Sequence, residues 1–204
     1  MVTDPRTTAF IAVHFQHDVV GDTGAMAGLF REQVEARQVL DAAGRLLQAA
    51  RSAGAPTVYT RVAWAPDLSD LDANSPLLGM VAQSRFLIEG TPGAEIVPEL
   101  APGGADHVMT HKRIGGFSAS GLQDWLQQRG ARTLVLFGVA TNASVEGTAR
   151  QASDLGYRTI VVEDACSAAT PAAHTHSIES LALLAEISTV GDITAALKPA
   201  NTAG

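Results

Sequence analysis

Leu134-Val-Leu-Phe-Gly-Val-Ala-Thr-Asn-Ala-Ser144-Val-Glu-Gly-Thr-Ala-Arg150 is the stretch whose reading decides the fold. Leu134 to Phe137, with Val139 across one glycine, form an apolar run of strand length. A small-residue turn then launches a helix at Thr141 or Asn142. A strand-turn-helix corner of this kind aims backbone N–H groups and the positive end of a helix dipole at the mouth of a sheet. An anion or a developing oxyanion can be held there. Ser144 falls in the first helical turn, where serine is common for purely structural reasons, so the corner locates a site without naming a reaction.

Outward from the corner, strands and helices alternate along the whole chain. Thr8 to Val13 reads as strand one and stops at the polar cluster His14-Phe-Gln-His-Asp18. Gln33 to Ala53 carries apolar residues at helical spacing and ends at Gly54; Pro56 to Val62 is strand two. Residues 64–102, rich in Pro and Gly, read as an ordered loop or lid. Asp106 to His111 is a third short strand with a polar end, followed by Lys112, Arg113 and the flexible pair Gly115-Gly116. A helix is predicted from Ser120, as N-cap, to Gly130. The corner helix runs over 142–155, Arg158 to Glu163 is strand five, and His174 to Glu186 is a helix with Ile178, Leu181, Leu184 and Ala185 on one face. Ile187 to Val190 is a last strand, and the tail from Lys198 is expected to fray. This alternation predicts an α/β fold: a three-layer, Rossmann-like single domain over 1–204 with its ordered core at about 7–197. Its mostly parallel central sheet carries helices on both faces and binds ligands at the carboxyl ends of the strands.

Composition narrows the function classes. Over 204 residues, 46% hydrophobic and 17% charged, the chain is long enough for one domain with a well-buried core, and it is globular rather than disordered. A net charge of -7 without a run of Lys or Arg argues against nucleic acid or an anionic membrane as partner and for a small molecule. The single cysteine, Cys166, can form no internal disulfide and sits in a stretch suited to a buried thiol. No amino-terminal signal pattern and no run of 18 apolar residues is found, so the expected location is cytoplasmic.

In a parallel sheet the tips at His14, at His111 and at the turn before Ser144 share one edge and can converge in one pocket. Phe137 to Arg150, Gly156 to Cys166, Glu89-Gly-Thr-Pro-Gly-Ala-Glu95 and His176-Ser-Ile-Glu-Ser-Leu181 together resemble the isochorismatase-like (cysteine hydrolase) superfamily, from about strand one to about residue 197. The resemblance implies a Rossmann-like domain that assembles as a homo-oligomer, a dimer or tetramer. It also implies a catalytic Asp at the end of strand one, a Lys before the central helix and a Cys at the corner. A non-proline cis peptide that shapes an oxyanion hole is implied at Val139-Ala140, which makes these two residues expected substrate contacts.

The chain departs from that pattern at all three catalytic positions. His14 stands at the Asp position, with His17 where the motif has Asn; His111 stands at the Lys position and Ser144 at the Cys position. Three replacements together read as natural divergence rather than as a trapped nucleophile. A serine needs an adjacent base to attack, and an imidazole at His14 or His111 can supply one, although the carboxylate that would orient such a base is the residue that became His. Isochorismatase proper, within the same superfamily, resembles this chain in lacking the Cys and protonates a vinyl ether. Imidazoles with a pKa of about 6.5 can likewise act as acid and base on a small unsaturated or carbonyl compound. Water addition, isomerisation, elimination and ring closure are then all compatible. A metal held by His14, His17 and His111 requires the chain to turn after Phe15, because positions three apart on a strand face opposite sides. The site is therefore read without metal or cofactor. A catalytically inactive binding or oligomer-forming relative is the remaining alternative, opposed by the replacements being two imidazoles and a hydroxyl rather than inert side chains.

The expectation is a cofactor-independent hydrolase of a small amide, ester or enol ether. His14 and His111 transfer protons, and Ser144 acts as nucleophile or hydrogen-bond donor. Phe15, Trp64 and Phe117 are expected to wall the pocket. Phe86 is expected in the core, Gln16 as a brace of the strand-one loop, Asp18 as structural, His107 at the opposite end or face of its strand, His174 at a helix end, and His176 as structural.

Overall fold

The computed structural model describes residues 4–197. Six strands form one parallel sheet in the order β3-β2-β1-β4-β5-β6: β1 (Thr8–Val13), β2 (Thr57–Val62), β3 (His107–His111), β4 (Thr133–Val139), β5 (Arg158–Ser167) and β6 (Glu186–Ser188). The two central strands, β1 and β4, are buried at every position, which is why their sequences are apolar without alternation. The edge strand β3 begins exposed and is buried only toward its end.

The chain runs outward from β1 to β3 and then returns to the other side of β1 to start β4. A crevice therefore opens between the carboxyl ends of β1 and β4. Helices α1 (His17–Val20), α2 (Ala27–Ala36) and α3 (Val39–Ser52) follow β1. The others are α4 (Pro76–Ser84), α5 (Leu122–Gln128), α6 (Glu146–Asp154), α7 (Pro171–Leu181) and α8 (Val190–Ala196). The crossovers put α3 with α8 on one face and α6 with α7 on the other. No helix among the described residues is long and apolar enough to cross a membrane.

Several sequence expectations are corrected. The helix predicted over 33–53 is two helices broken at Gln38, which takes a left-handed conformation (φ 52°). The break is pinned by Arg37, whose guanidinium donates to the carbonyls of Cys166 (2.9 Å) and Glu163 (3.0 Å). Both helices keep their apolar side inward, so the periodicity reads through. The loop over 64–102 contains α4, started by Ser75 accepting the Leu78 N–H and by Pro76 in the first turn. Short 3-10 turns follow at Pro92–Ala94 and Pro98–Leu100.

Ser120 is not the N-cap of α5, which is Gly121; its hydroxyl instead accepts from the Leu122 N–H and donates to the Gly116 carbonyl. The helix predicted over 174–186 starts at Pro171, capped by Thr170, and stops at Leu181, which leaves Leu184 exposed. β5 runs on to Ser167, past the predicted Glu163, because Cys166 and Ser167 pair with Gly138 and Val139 after a register shift. β6 is Glu186–Ser188, and the predicted Val190 instead opens α8 behind the Thr189 cap. The pair Gly115-Gly116 packs tightly rather than flexing: a Cβ on Gly115 would meet the Gln151 amide at 2.3 Å. Cys166 is a fully buried free thiol pushed up to about 12 by its burial. The expected frayed tail from Lys198 lies outside the described residues.

Candidate active site

β1 ends at Val13, and His14 turns into the left-handed region (φ 53°), its N–H donating to the Thr60 carbonyl at 3.0 Å. Phe15 then drops to the other side and packs on Phe137, ring centroids 5.9 Å apart. β3 ends at His111, which is wholly buried. The two imidazoles meet across the end of β2 with Nε2 to Nε2 at 2.8 Å, ring centroids 4.9 Å apart and planes at 23°. One nitrogen must donate and the other accept, so a single proton lies between them. Burial lowers His111 to about 4, and burial together with the neighbouring His111 holds His14 well below its usual value. Titration near 6.5, expected for ordinary imidazoles, is thereby corrected: at neutral pH the pair is uncharged.

The corner is built around one glycine. Gly138 (φ 137°) lies against β1 so closely that a Cβ would stand 2.1 Å from the Val13 carbonyl oxygen, and only glycine lets the two central strands close there. The Val139-Ala140 peptide is cis. Residues Thr141–Val145 then form a wide helical turn ahead of α6, so the helix proper starts later than the predicted 142. The Ala140 carbonyl accepts from the N–H groups of Ala143 (3.2 Å) and Val145 (3.1 Å), and Thr148 donates to the Ser144 carbonyl at 2.6 Å. Ser144 is thus held through its backbone, while its hydroxyl has no hydrogen-bond partner among the described residues.

Behind the corner stands a residue that sequence reasoning placed only at a helix end. His174, one turn into α7, is buried and meets the Thr141 hydroxyl through Nδ1 at 2.9 Å. Ser177 donates to the Thr141 carbonyl at 3.2 Å. Burial, with Arg37 nearby, lowers His174 to about 4.

His14 and Ser144 face a cavity of about 70 Å³. Of the expected substrate contacts, Trp64, Val139 and Ala140 line it. Phe15 belongs to the core, and Phe117 stacks on Tyr157 at 6.1 Å outside the lining. Phe15 was placed by its nearness to a strand tip, but successive side chains on a strand alternate, so the neighbour of His14 points away. Phe86 belongs to the core, as expected, and also lines the cavity, as do Phe30 of α2 and Leu77, Leu78 and Val81 of α4. The signal for the latter was the Ser75-Pro76 start followed by apolar residues at helical spacing.

The remaining polar residues near the tips have other partners. The Gln16 side chain bridges Val62 and the Ala94 carbonyl, and Asp18 accepts from the N–H groups of Ala25 and Leu87. His17 turns toward Thr23 at 3.4 Å, and His107 stacks on Trp125 at the start of β3, the end opposite His111. His176 is exposed. Among the described residues no three His, Cys, Asp or Glu side chains gather as a metal-binding group.

The isochorismatase domain profile matches residues 8–192. The chain belongs to the isochorismatase family. An isochorismatase family protein of Escherichia coli O157:H7, YecD, is 30% identical over 189 residues, covering 86% of this chain and 88% of that one. The ureidoacrylate amidohydrolase RutB of Caulobacter segnis is 33% identical over 182 residues, covering 82% and 75%. The crystal structure of a cysteine hydrolase from Pseudomonas syringae superposes with a TM-score of 0.86 at 25% identity, covering 97% and 95%. Isochorismatase-family proteins are hydrolases, and this chain shares their single α/β domain with its six-stranded parallel sheet.

Proposed function

We propose that the chain hydrolyses a small amide, ester or enol ether, with His14 and His111 moving the proton and Ser144 serving as nucleophile or hydrogen-bond donor. The observation that carries this reading is the 2.8 Å contact between His111 and His14, the imidazole that lines a cavity together with Ser144. Amides come first because relatives of similar length are named amidohydrolases.

On this reading the two histidines replace the Asp and Lys of the family pattern, and the exchange is chemically coherent. Burial makes His14 a weaker base than an ordinary imidazole, closer to the carboxylate whose position it takes. A neutral pair also has the same net charge as a carboxylate beside an ammonium. In the reaction, the O–H of Ser144 or of a water gives its proton to His14 as its oxygen bonds to the substrate carbon. The positive charge is shared with His111 across the Nε2 contact, and the proton then passes to the departing nitrogen or oxygen. His14 faces the substrate and His111 stands behind it.

The unpartnered Ser144 hydroxyl favours a second reading, in which the imidazoles act directly on the substrate, or on water, without a covalent intermediate. Isomerisation, elimination and ring closure belong to it. Single His14→Ala, His111→Ala and Ser144→Ala variants, assayed on amides, esters and enol ethers, test both. Loss of about 100-fold or more in kcat/KM for both histidine variants is expected. Ser144→Ala separates the two: comparable loss supports covalent attack, and full turnover ends it. Indifference of all three variants ends the enzyme reading and leaves an inactive relative.

A further inference from the structure

Three charged side chains stand close to the cavity, and each is neutralised outside its interior. Asp18 uses both carboxylate oxygens on backbone N–H groups, at 3.1 Å from Ala25 and 2.8 Å from Leu87. Lys112, next to His111, turns its ammonium to Asp70 at 2.7 Å and to the Ala63 carbonyl. Arg113 touches the rim with its guanidinium paired to Asp72 at 3.0 Å. Besides Arg113, the polar side chains that line the cavity are those of His14 and Ser144; Trp64, Leu78, Val81, Phe86 and Val139 supply most of the remaining wall.

An ion entering such a space loses its hydration and meets no free counter-ion, whereas an apolar body gains from leaving water. The volume of about 70 Å³ is about half the ~150 Å³ that holds a ligand of benzene's size, which leaves room for about three non-hydrogen atoms. Resting on the proton-transfer reading of the site, we propose that the part of the substrate taken into the cavity is the uncharged, short or branched aliphatic end of an acyl group, about three non-hydrogen atoms. α2 and α4, through Phe30, Leu78 and Val81, select it by shape, and the uncharged floor rejects charged molecules of the same shape.

Three compounds of one shape and different charge test this: isobutyramide (neutral), isobutyrate (anion) and isobutyramidinium (cation). Each is titrated calorimetrically into the full chain at pH 7, with ammonia release from the amide followed separately. The amide is expected to bind at least about tenfold more tightly than either ion. Val81→Phe, which narrows the cavity, is expected to weaken the amide while leaving the ions as weak as before. Isobutyrate binding as tightly as the amide, and losing that affinity in Arg113→Met, overturns the proposal in favour of a carboxylate-binding rim. Absence of saturable amide binding overturns it as well. The two ideas fail separately. Selective amide binding that persists when the histidine and serine variants show no role in turnover leaves the charge selection standing and removes the proton-transfer reading. Turnover that depends on His14 and His111 without charge selection does the reverse.

Discussion

At the scale of single residues, the proposed chemistry turns on two imidazoles whose burial changes what they can do. Because the folded pKa of His111 lies near 4 and that of His14 is also depressed, the neutral, proton-accepting form persists as pH falls below 6.5. We predict that kcat/KM stays level as pH falls through 6.5 and breaks only well below it, where an unperturbed imidazole base would break near 6.5. A pH–rate profile with a break at 6 or above removes the buried-pair account. His14 and His111 were legible as strand tips converging on one edge, a consequence of parallel pairing alone. Their depressed basicity was not, since it depends on how completely β2 and the residues after β1 enclose them. Phe15 was misplaced for a reason the sequence does contain, the alternation of side chains along an extended segment.

At the scale of elements, the corner is held from both sides. Thr148 of α6 fastens the Ser144 carbonyl, and α7 grips Thr141 twice, through His174 and Ser177. His174 is not among the residues that line the cavity, and its contact with Thr141 suits it to position the turn. Replacing His174 with Ala is predicted to lower kcat by about tenfold with KM nearly unchanged. Asn, whose side-chain amide can reach the Thr141 hydroxyl, is predicted to restore most of the loss. Equal loss with Asn and Ala, or a rise in KM alone, counts against the positioning role. Amide hydrogen exchange over 139–148, faster in the Ala variant and near the parent rate in the Asn variant, reads the same tether without any substrate.

The strand before this corner and the turn itself were readable from apolar run and small residues. The helix α4 was hidden by the prolines around it, although Pro76 lies in a first turn, where a missing N–H costs nothing. The apparent single helix over 33–53 hid its break because burial, which sets the apolar period, continues across Gln38.

At the scale of the whole molecule, alternating strands and helices made the parallel sheet legible. The strand order was not, because which side of β1 the chain returns to is settled by packing between elements far apart in sequence. Three buried histidines, His14, His111 and His174, have folded pKa values below the 6.5 of the unfolded chain. Unfolded histidines take up protons first as pH falls. The stability these residues permit is therefore complete above 6.5 and declines between 6.5 and about 4, at roughly 1.4 kcal/mol per pH unit for each proton. Urea midpoints measured from pH 7.5 to 4.5 are predicted to fall steadily through this window. A flat profile contradicts the burial of these groups as neutral imidazoles.

Cys166 carries a practical consequence. It is the chain's single thiol, sealed between β4 and the helices, and its raised pKa leaves almost no thiolate at neutral pH. Thiol-directed reagents find no accessible thiol in the folded chain. Iodoacetamide treatment of a cell extract is predicted to silence relatives that work through a cysteine while this protein's turnover survives. Its reaction could then be followed in a mixture where theirs has been switched off, and loss of turnover under that treatment would show the thiol to be reachable.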